Sequence, residues 1–285
     1  MSGNFQYTTA FSRNLGWLTN DELARMRSAH VAIAGLGGVG GNHLLTLARL
    51  GVGGFRIADF DRFELANFNR QVGATLRHLH RPKVDVLAEM ALDINPELAL
   101  TRFADGVTEA NLDAFLDGAA VFIDGLDFFA LPIRRRVFAA CAARGIPAVT
   151  AAPLGWGVSL LLFAPGGVGF EDYFRFEAQP EDEQLRRFLV GLSPELMQMG
   201  ALVEPTRLDL ERRVGPSTPV GCELCAALVA TTTVKLLLGR GGVHAVPTSL
   251  HFDAFTGERR LIERPGGMDH PDMQAVLARL RGGAQ

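Results

Sequence analysis

The chain of 285 residues is long enough for one large domain or two modest ones with a buried core. With 48% hydrophobic and 21% charged residues, its composition is that of a globular protein and excludes an intrinsically disordered chain. A net charge of −3 gives no general drive toward nucleic acid or an anionic membrane, while leaving room for a local basic pocket.

The first predicted element is a helix from Leu18 to Ser28, with Thr19 or Asn20 as cap and Asp21 and Glu22 in its opening turn. VAIAG (31–35) reads as a buried parallel strand, LGGVGG ends it, and NHLLTLARLG follows as an apolar helix. FRIADFD (55–61) is the next strand and completes a βαβ unit. A helix over 82–94 stops at INP, because Pro96 biases Asn95 away from helical angles. Strand 98–103, helix ANLDAFLD, strand AVFIDGLD (120–127), helix LPIRRRVFAACAARG (131–145) and strand IPAVTAAP (146–153) continue the alternation. Such a rhythm predicts an α/β fold, a mostly parallel sheet with helices on both faces.

After Pro153 the pattern changes. WGVSLLLFAP reads as a strand of a different, antiparallel kind, and 166–220 as irregular, charged and punctuated by Pro and Gly. CELCAALVATTTVKLLLG (222–239) is one apolar helix, SLHFDAFTGERRLIE closes as a hairpin turning at Thr256-Gly257, and the RGGAQ tail reads as frayed. Cys141, Cys222 and Cys225 make no disulfide framework, and MSGNFQYTT lacks a basic-then-apolar signal layout. Apolar runs such as VSLLLFAP (158–165) read as too short to span a bilayer. The expectation is a cytoplasmic protein without membrane attachment.

The glycine turn is Gly35-Leu36-Gly37-Gly38-Val39-Gly40. Glycines suit it because the turn takes unusual backbone angles and a side chain would hold the main chain away from phosphates. The N–H groups opening the next helix then face an anion. Asp59, nineteen residues past Gly40, ends the second strand, with Asp61 beside it, where an acid can accept from ribose hydroxyls. The pattern fits NAD, FAD or ATP equally well.

The stretch FELANFNRQVGATLRHLHRPK (63–83) narrows the choice. A dinucleotide site has no chemical use for Asn67, Asn69, Arg70 and Lys83 clustered beyond the second strand. A site attacking the α-phosphate of ATP does, since fixed cations neutralise charge building on the phosphorus oxygens and the departing pyrophosphate. A divalent cation bridging phosphates needs a carboxylate, and Asp127 with Asp124 lies at the end of the fourth strand, on the sheet edge where α/β ligands bind.

In order, GLGGVG, DFD, N-x-NRQ, a lysine thirteen residues after the arginine and an aspartate after the next long strand resemble the ThiF/MoeB/HesA superfamily, bacterial relatives of ubiquitin-activating enzymes. The resemblance covers roughly residues 10–165 and returns faintly at 222–239. It implies a Rossmann-like, doubly wound sheet extended by antiparallel strands, with residues 1–165 as the ATP-binding adenylation core and its N-terminal helical arm. Residues 166–285 would be a C-terminal extension packed on the same domain. It implies that a carboxylate is adenylated with Mg-ATP: Asp59 holds the ribose, Asn67 and Arg70 contact phosphates, Lys83 stabilises the α- and β-phosphates, and Asp127 coordinates magnesium. Arg13, in AFSRNLGWL, matches a family arginine that reaches into the partner subunit's site, which implies a homodimer. The acceptor would be the C-terminus of a ubiquitin-like protein, a peptide or a small acid. A tRNA threonylcarbamoyladenosine dehydratase and an NAD- or FAD-dependent oxidoreductase stand as alternatives, as does a nucleotide-binding scaffold without catalysis.

The chain departs from the family in two places. No cysteine lies between 142 and 221, where many relatives carry an acyl-accepting thiol, so the reaction is expected to stop at the acyl-adenylate or to pass it directly to a bound nucleophile. Only Cys222-x-x-Cys225 stands where relatives have two C-x-x-C pairs, which argues against zinc. Phe170, Tyr173, Phe174 and Phe176 either bind an acyl donor or partner, or cover the sheet.

Overall fold

The computed structural model describes residues 5–208 and 215–282; the end of the RGGAQ tail and residues 209–214 lie outside them. The chain folds into two compact units. One is built from the chain up to Asp127 together with Ala226–Val243, the other from Phe128–Cys225 together with the chain from His244 onward.

The first unit opens with α1 (Tyr7–Ala10), a 3-10 turn over Ser12–Asn14 and α2 (Asn20–Ser28). Thr19 caps α2 reciprocally: the Glu22 N–H donates to Thr19 Oγ1 at 3.1 Å, and the Glu22 carboxylate accepts the Thr19 N–H at 2.9 Å. Then come β1 (His30–Ala34), α3 (Gly40–Arg49), β2 (Gly54–Ala58), α4 (Lys83–Ile94), β3 (Ala99–Phe103), α5 (Leu112–Leu116) and β4 (Val121–Asp124). These four strands are parallel in the order β3-β2-β1-β4, with Ile33 of β1 opposite both Ile57 and Ile123. Val31, Ala32, Ile33 and Ala34 are all buried, as unbroken apolar runs in parallel sheets must be when helices cover both faces. The chain steps from β1 outward through β2 to β3, then returns to β4 on the other side of β1. That reversal opens a crevice beyond the carboxyl ends of β1 and β4.

The second unit carries α6 (Leu131–Arg144), closed by Gly145 at φ +67°. After it come β5 (Ala148–Leu154), β6 (Gly157–Phe163), α7 (Phe170–Phe174) and α8 (Glu181–Leu192). Next is α9 (Pro219–Leu238), whose part from Ala226 belongs to the first unit, then β7 (Thr248–Asp253), β8 (Glu258–Glu263) and α10 (Pro271–Gly282). Its strands pair antiparallel in chain order, from Ala148 opposite Phe163 to Asp253 opposite Glu258. The expected parallel core with an antiparallel extension is the architecture found.

Two expectations need correction, and one open choice is resolved. Residues 166–220 are not irregular throughout but hold α7 and α8. In α8 the three acids of the first turn, Glu181, Asp182 and Glu183, favour the helix N-terminus, while Leu185, Phe188 and Leu192 bury one stripe. Of the two roles left open for Phe170, Tyr173, Phe174 and Phe176, these side chains take the core one. They are 5%, 0%, 0% and 0% exposed and pack with Phe163 and Phe188. Finally, α9, at 20 residues and a mean hydropathy of 1.6, meets the length and apolarity of a membrane span, contrary to the reading that the apolar runs are too short. Cys222, Cys225, Ala226, Val229, Ala230 and Thr233 on this helix are buried inside the protein.

Candidate functional site

At the end of β1 the chain enters Gly35 with φ +81°, and a Cβ there would stand 2.2 Å from the Gly125 carbonyl oxygen. Both facts require glycine. A Cβ on Gly40 would meet the Gly35 carbonyl oxygen at 1.8 Å, and one on Gly125 the same atom at 2.4 Å. The turn after β1 and the loop after β4 are thus pressed backbone to backbone at the crevice. The Gly35 N–H donates to Ala58 O and the Gly125 N–H to Ala34 O, each at 2.8 Å. The Gly38 carbonyl accepts from Asn42 Nδ2 at 3.1 Å, which ties the turn to the first turn of α3. Gly37 is different. The nearest atom to its missing Cβ is Gln71 Nε2 at 3.7 Å, an ordinary contact, so packing alone does not demand glycine there.

Asp59, 8% exposed, ties the end of β2 to this turn. Its Oδ2 accepts the Leu36 N–H at 2.6 Å and its Oδ1 the Asp61 N–H at 2.7 Å. Burial raises its pKa above the ordinary carboxylate value, against the opposing pull of the Leu36 amide and the Lys83 ammonium. Each carboxylate oxygen keeps a further lone pair for a hydroxyl donor. Asp61 continues the chain of contacts. Its Oδ2 lies 2.9 Å from Lys83 Nζ, and its carbonyl accepts the Lys83 N–H at 2.9 Å. Lys83 opens α4 with only 5% of its surface exposed.

The polar stretch 63–83 is a structured connection with 3-10 turns at Leu65–Asn67 and Leu76–His78. It wraps the fully buried Phe63, whose ring lies so close to Gly73 that a Cβ there would be 2.6 Å from it. Asn67 Oδ1 accepts the Glu64 N–H at 3.0 Å. Arg70 Nη1 donates to Ala66 O at 3.0 Å and Asn69 Oδ1 at 2.9 Å, so the guanidinium is oriented within the stretch. Asn69 is exposed, while Asn67 and Arg70 are half-buried.

On the β4 side, Asp124 is 2% exposed and its Oδ1 accepts the Leu126 N–H at 3.1 Å, shaping the loop that carries Gly125. Asp127 is exposed three residues further on. Among the described residues no group of three or more His, Cys, Asp or Glu is arranged to hold a metal ion alone. Magnesium riding on phosphates needs only one or two carboxylates. Asp127, exposed, and Asp124, buried with one oxygen on the loop, are the carboxylates at the end of β4 that would meet that requirement. Arg13 stands on the exposed turn Ser12–Asn14, and Asn14 Nδ2 donates to Arg49 O at 3.1 Å, at the end of α3 opposite the glycine turn.

The structure therefore joins the glycine turn to Asp59, through Asp61 to Lys83, and to the Gly125 loop, while Arg13 is anchored away from them. Sequence reading missed the close backbone approach of Gly125 to Gly35 and Gly40. A glycine between two aspartates at a strand end was the available signal.

The profile of the ThiF family matches residues 11–271. The chain belongs to the ThiF family. It is 34% identical over 145 residues to the sulfur carrier protein ThiS adenylyltransferase of Escherichia coli, covering 51% of this chain and 57% of that one. It is likewise 34% identical over 141 residues to the tRNA threonylcarbamoyladenosine dehydratase of Bacillus subtilis, covering 49% and 55%. The chain spans about half the length of these curated relatives. A crystal structure of E. coli MccB with MccA-N7isoASN shares the fold at TM-score 0.69 and 17% identity, over 95% of this chain and 75% of that one. In this ThiF-family chain Cys141, Cys222 and Cys225 are buried and outside any disulfide, and burial together with the neighbouring Cys222 pushes the Cys225 thiol well above its usual range.

Proposed function

We propose that this ThiF-family protein is an ATP-dependent adenylyltransferase that activates a carboxylate as an acyl-adenylate and releases pyrophosphate. One observation carries the reading: a continuous set of contacts runs from the Leu36 amide through Asp59 and Asp61 to the buried ammonium of Lys83. A glycine turn suited to phosphate is thus linked through two carboxylates to a fixed cation, which supports the reading.

The acceptor carboxylate is already ionised at neutral pH, so the step needs no general base. One of its oxygens bonds to the α-phosphorus as the bond from that phosphorus to the α,β-bridging oxygen breaks. Pyrophosphate leaves with the electron pair. Lys83 and Arg70 stand to meet the charge that grows on the α-phosphate and the leaving group, with Asn67 and Asn69 as neutral donors beside them. Asp59 takes the ribose hydroxyls with its remaining lone pairs. Asp127 would hold magnesium, which supplies charge neutralisation across the phosphates.

The acyl-adenylate is the last activated species on this chain. Cys141, Cys222 and Cys225 are at most 1% exposed and so lack the accessible setting of a reactive thiolate. The acceptor class is a carboxyl terminus of a ubiquitin-like protein or peptide, or a small acid. The similarity to the ThiS adenylyltransferase supports the protein terminus. Pyrophosphate exchange into ATP, screened across candidate carboxylates, tests the reading: exchange dependent on one acceptor is expected, and none with any acceptor would overturn it. The similarity to the B. subtilis dehydratase favours a carboxylate carried on tRNA as the second reading. Specific retention of tRNA on a filter would select it.

A further inference from the structure

We infer that an open pocket at the C-terminal ends of α3 and α4 is a separate ligand site, one that takes a free α-amino acid with an apolar side chain. The ligand carboxylate meets Arg49, its ammonium meets Asp93, and its side chain lies on a floor of Phe11, Leu45, Met90 and Ile94. All of these residues belong to the first unit. The glycine turn and Lys83 stand at the opposite ends of the same two helices, so the site is distinct from the crevice and independent of the adenylation reading.

The pocket has a volume of about 600 Å³, within the range of roughly 300–1,000 Å³ usual for small-molecule sites. Leu45 and Arg49 lie one turn apart on α3, and Met90 lies one turn before Asp93 and Ile94 on α4, so each helix offers apolar side chains and one charge. Phe11 forms the wall contributed by the N-terminal arm; it is buried and packs edge-on against Tyr7, ring centroids 4.7 Å apart. The hydrogen bond from Asn14 Nδ2 to Arg49 O fastens that arm to the end of α3, so the wall is built in advance of any ligand. Arg49 and Asp93 are both exposed. They carry opposite charges and line one pocket, yet among the described residues neither forms an ion pair, with the other or with a third group.

The position of Asp93 is unfavourable by itself. It is the last residue but one of α4, where unpaired carbonyls carry partial negative charge, and no basic residue in that turn offsets it. A ligand ammonium reverses the cost, because it meets the carboxylate and the carbonyl ends together. Arg49 closes α3, where a cation is favoured, and its planar guanidinium matches a carboxylate in shape. Either charge alone is an ordinary solvated surface group. Held apart across an apolar hollow, the two match a zwitterion, whereas a bare anion is repelled by Asp93 and a bare cation by Arg49. The four floor residues offer no side-chain hydrogen-bonding partner beyond the weak thioether sulfur of Met90, which selects aliphatic or thioether side chains over polar ones.

The experiment titrates the full chain, without nucleotide, with leucine, isoleucine and methionine, and with leucinamide and N-acetylleucine as probes lacking one charge each, by ligand-observed NMR. Leucine is expected to bind, and each one-charge probe about tenfold or more weakly, the range for a lost hydrogen bond to a charged group. Arg49→Gln should weaken leucine by that factor while leaving leucinamide, which has no carboxylate, unchanged. Asp93→Asn should weaken leucine likewise while leaving N-acetylleucine, which has no ammonium, unchanged. General loss of structure does not produce this crossed pattern, and both positions are exposed, so the variants should melt with the wild type. Wild-type affinity for leucine in either variant would overturn the inference, as would equal binding of leucine and the two one-charge probes. Absence of binding by all three amino acids would also overturn it; if both variants then lose self-association in sedimentation, the pocket is a contact between two copies of the chain.

Discussion

Lys83 and Asp61 form an ion pair of unequal burial: Nζ lies 2.9 Å from Oδ2, yet the lysine side chain is 6% exposed and the aspartate 53%. A ligand arriving at this pair can release the carboxylate to water far more cheaply than the ammonium. Lys83 is therefore a fixed charge and Asp61 its exchangeable partner. Replacing Lys83 by Ala leaves only an exposed carboxylate to rehydrate, so the fold should survive with a melting temperature within a few degrees. Pyrophosphate exchange should fall by roughly a hundredfold to a thousandfold, the usual loss when one transition-state charge contact is removed. Full exchange in that variant would remove Lys83 from the mechanism.

The glycines of the turn separate folding from ligand approach. Gly40→Ala would put a methyl 1.8 Å from the Gly35 carbonyl oxygen, so the main chain must move; we expect a loss of several degrees in melting temperature and no measurable nucleotide affinity. Gly37→Ala meets only Gln71 Nε2 at 3.7 Å. That variant should fold as the wild type does, yet bind ATP more weakly because the methyl occupies the path of the phosphates. Equal ATP binding by Gly37→Ala and wild type would show that the phosphates lie elsewhere.

Most of the first unit was legible because β1, β2 and β4 are buried almost throughout and its turns are marked by glycine. VAIAG and AVFIDG announce themselves by unbroken apolarity, and Thr19 with Glu22 marks a helix start by spacing alone. The helices α8 and α10 were not legible. The charge density of EDEQLRRFL hides the spacing of Leu185, Phe188 and Leu192, which becomes meaningful only once a core exists to receive them. The linkage between the candidate site residues was not legible. That Asp59 holds the turn through the Leu36 amide, or that Asp61 rather than solvent meets Lys83, depends on contacts between segments far apart in sequence.

His43 gives the fold a pH dependence with a definite sign. It is fully buried in α3, neither ring nitrogen has a hydrogen-bond partner, and burial lowers its pKa from 6.5 to about 3. Above pH 6.5 the ring is neutral in both folded and unfolded chains, and its contribution is fully present. As pH falls below 6.5 the unfolded chain takes up a proton that the folded chain refuses until about pH 3, so stability declines across that window. At pH 5 the loss from this one residue is roughly 2 kcal/mol. Unfolding in urea at pH 7 and pH 5 measures it. His43→Leu should flatten the dependence by about that amount, and an unchanged pH slope would show that the ring is hydrated or paired in solution.

Arg13 raises a question of reach. Its turn is fastened through Asn14 to the Arg49 carbonyl, at the far end of a ten-residue helix that begins at the glycine turn, a separation of roughly 15 Å along the helix axis. An arginine side chain does not cover that distance, so Arg13 has no direct access to the crevice of its own chain. It can serve an adenylation site only if two copies associate with the arm of one over the crevice of the other, as the family resemblance implies. Arg13→Ala and Lys83→Ala should then each be inactive alone. Co-expressed, they form mixed dimers in which one crevice combines an intact Lys83 with an intact Arg13 from the other chain, restoring about a quarter of wild-type exchange for random pairing of a symmetric dimer. Recovery demonstrates a shared site; no recovery from co-purified mixed dimers, with each parent inactive, places the function of Arg13 within its own chain.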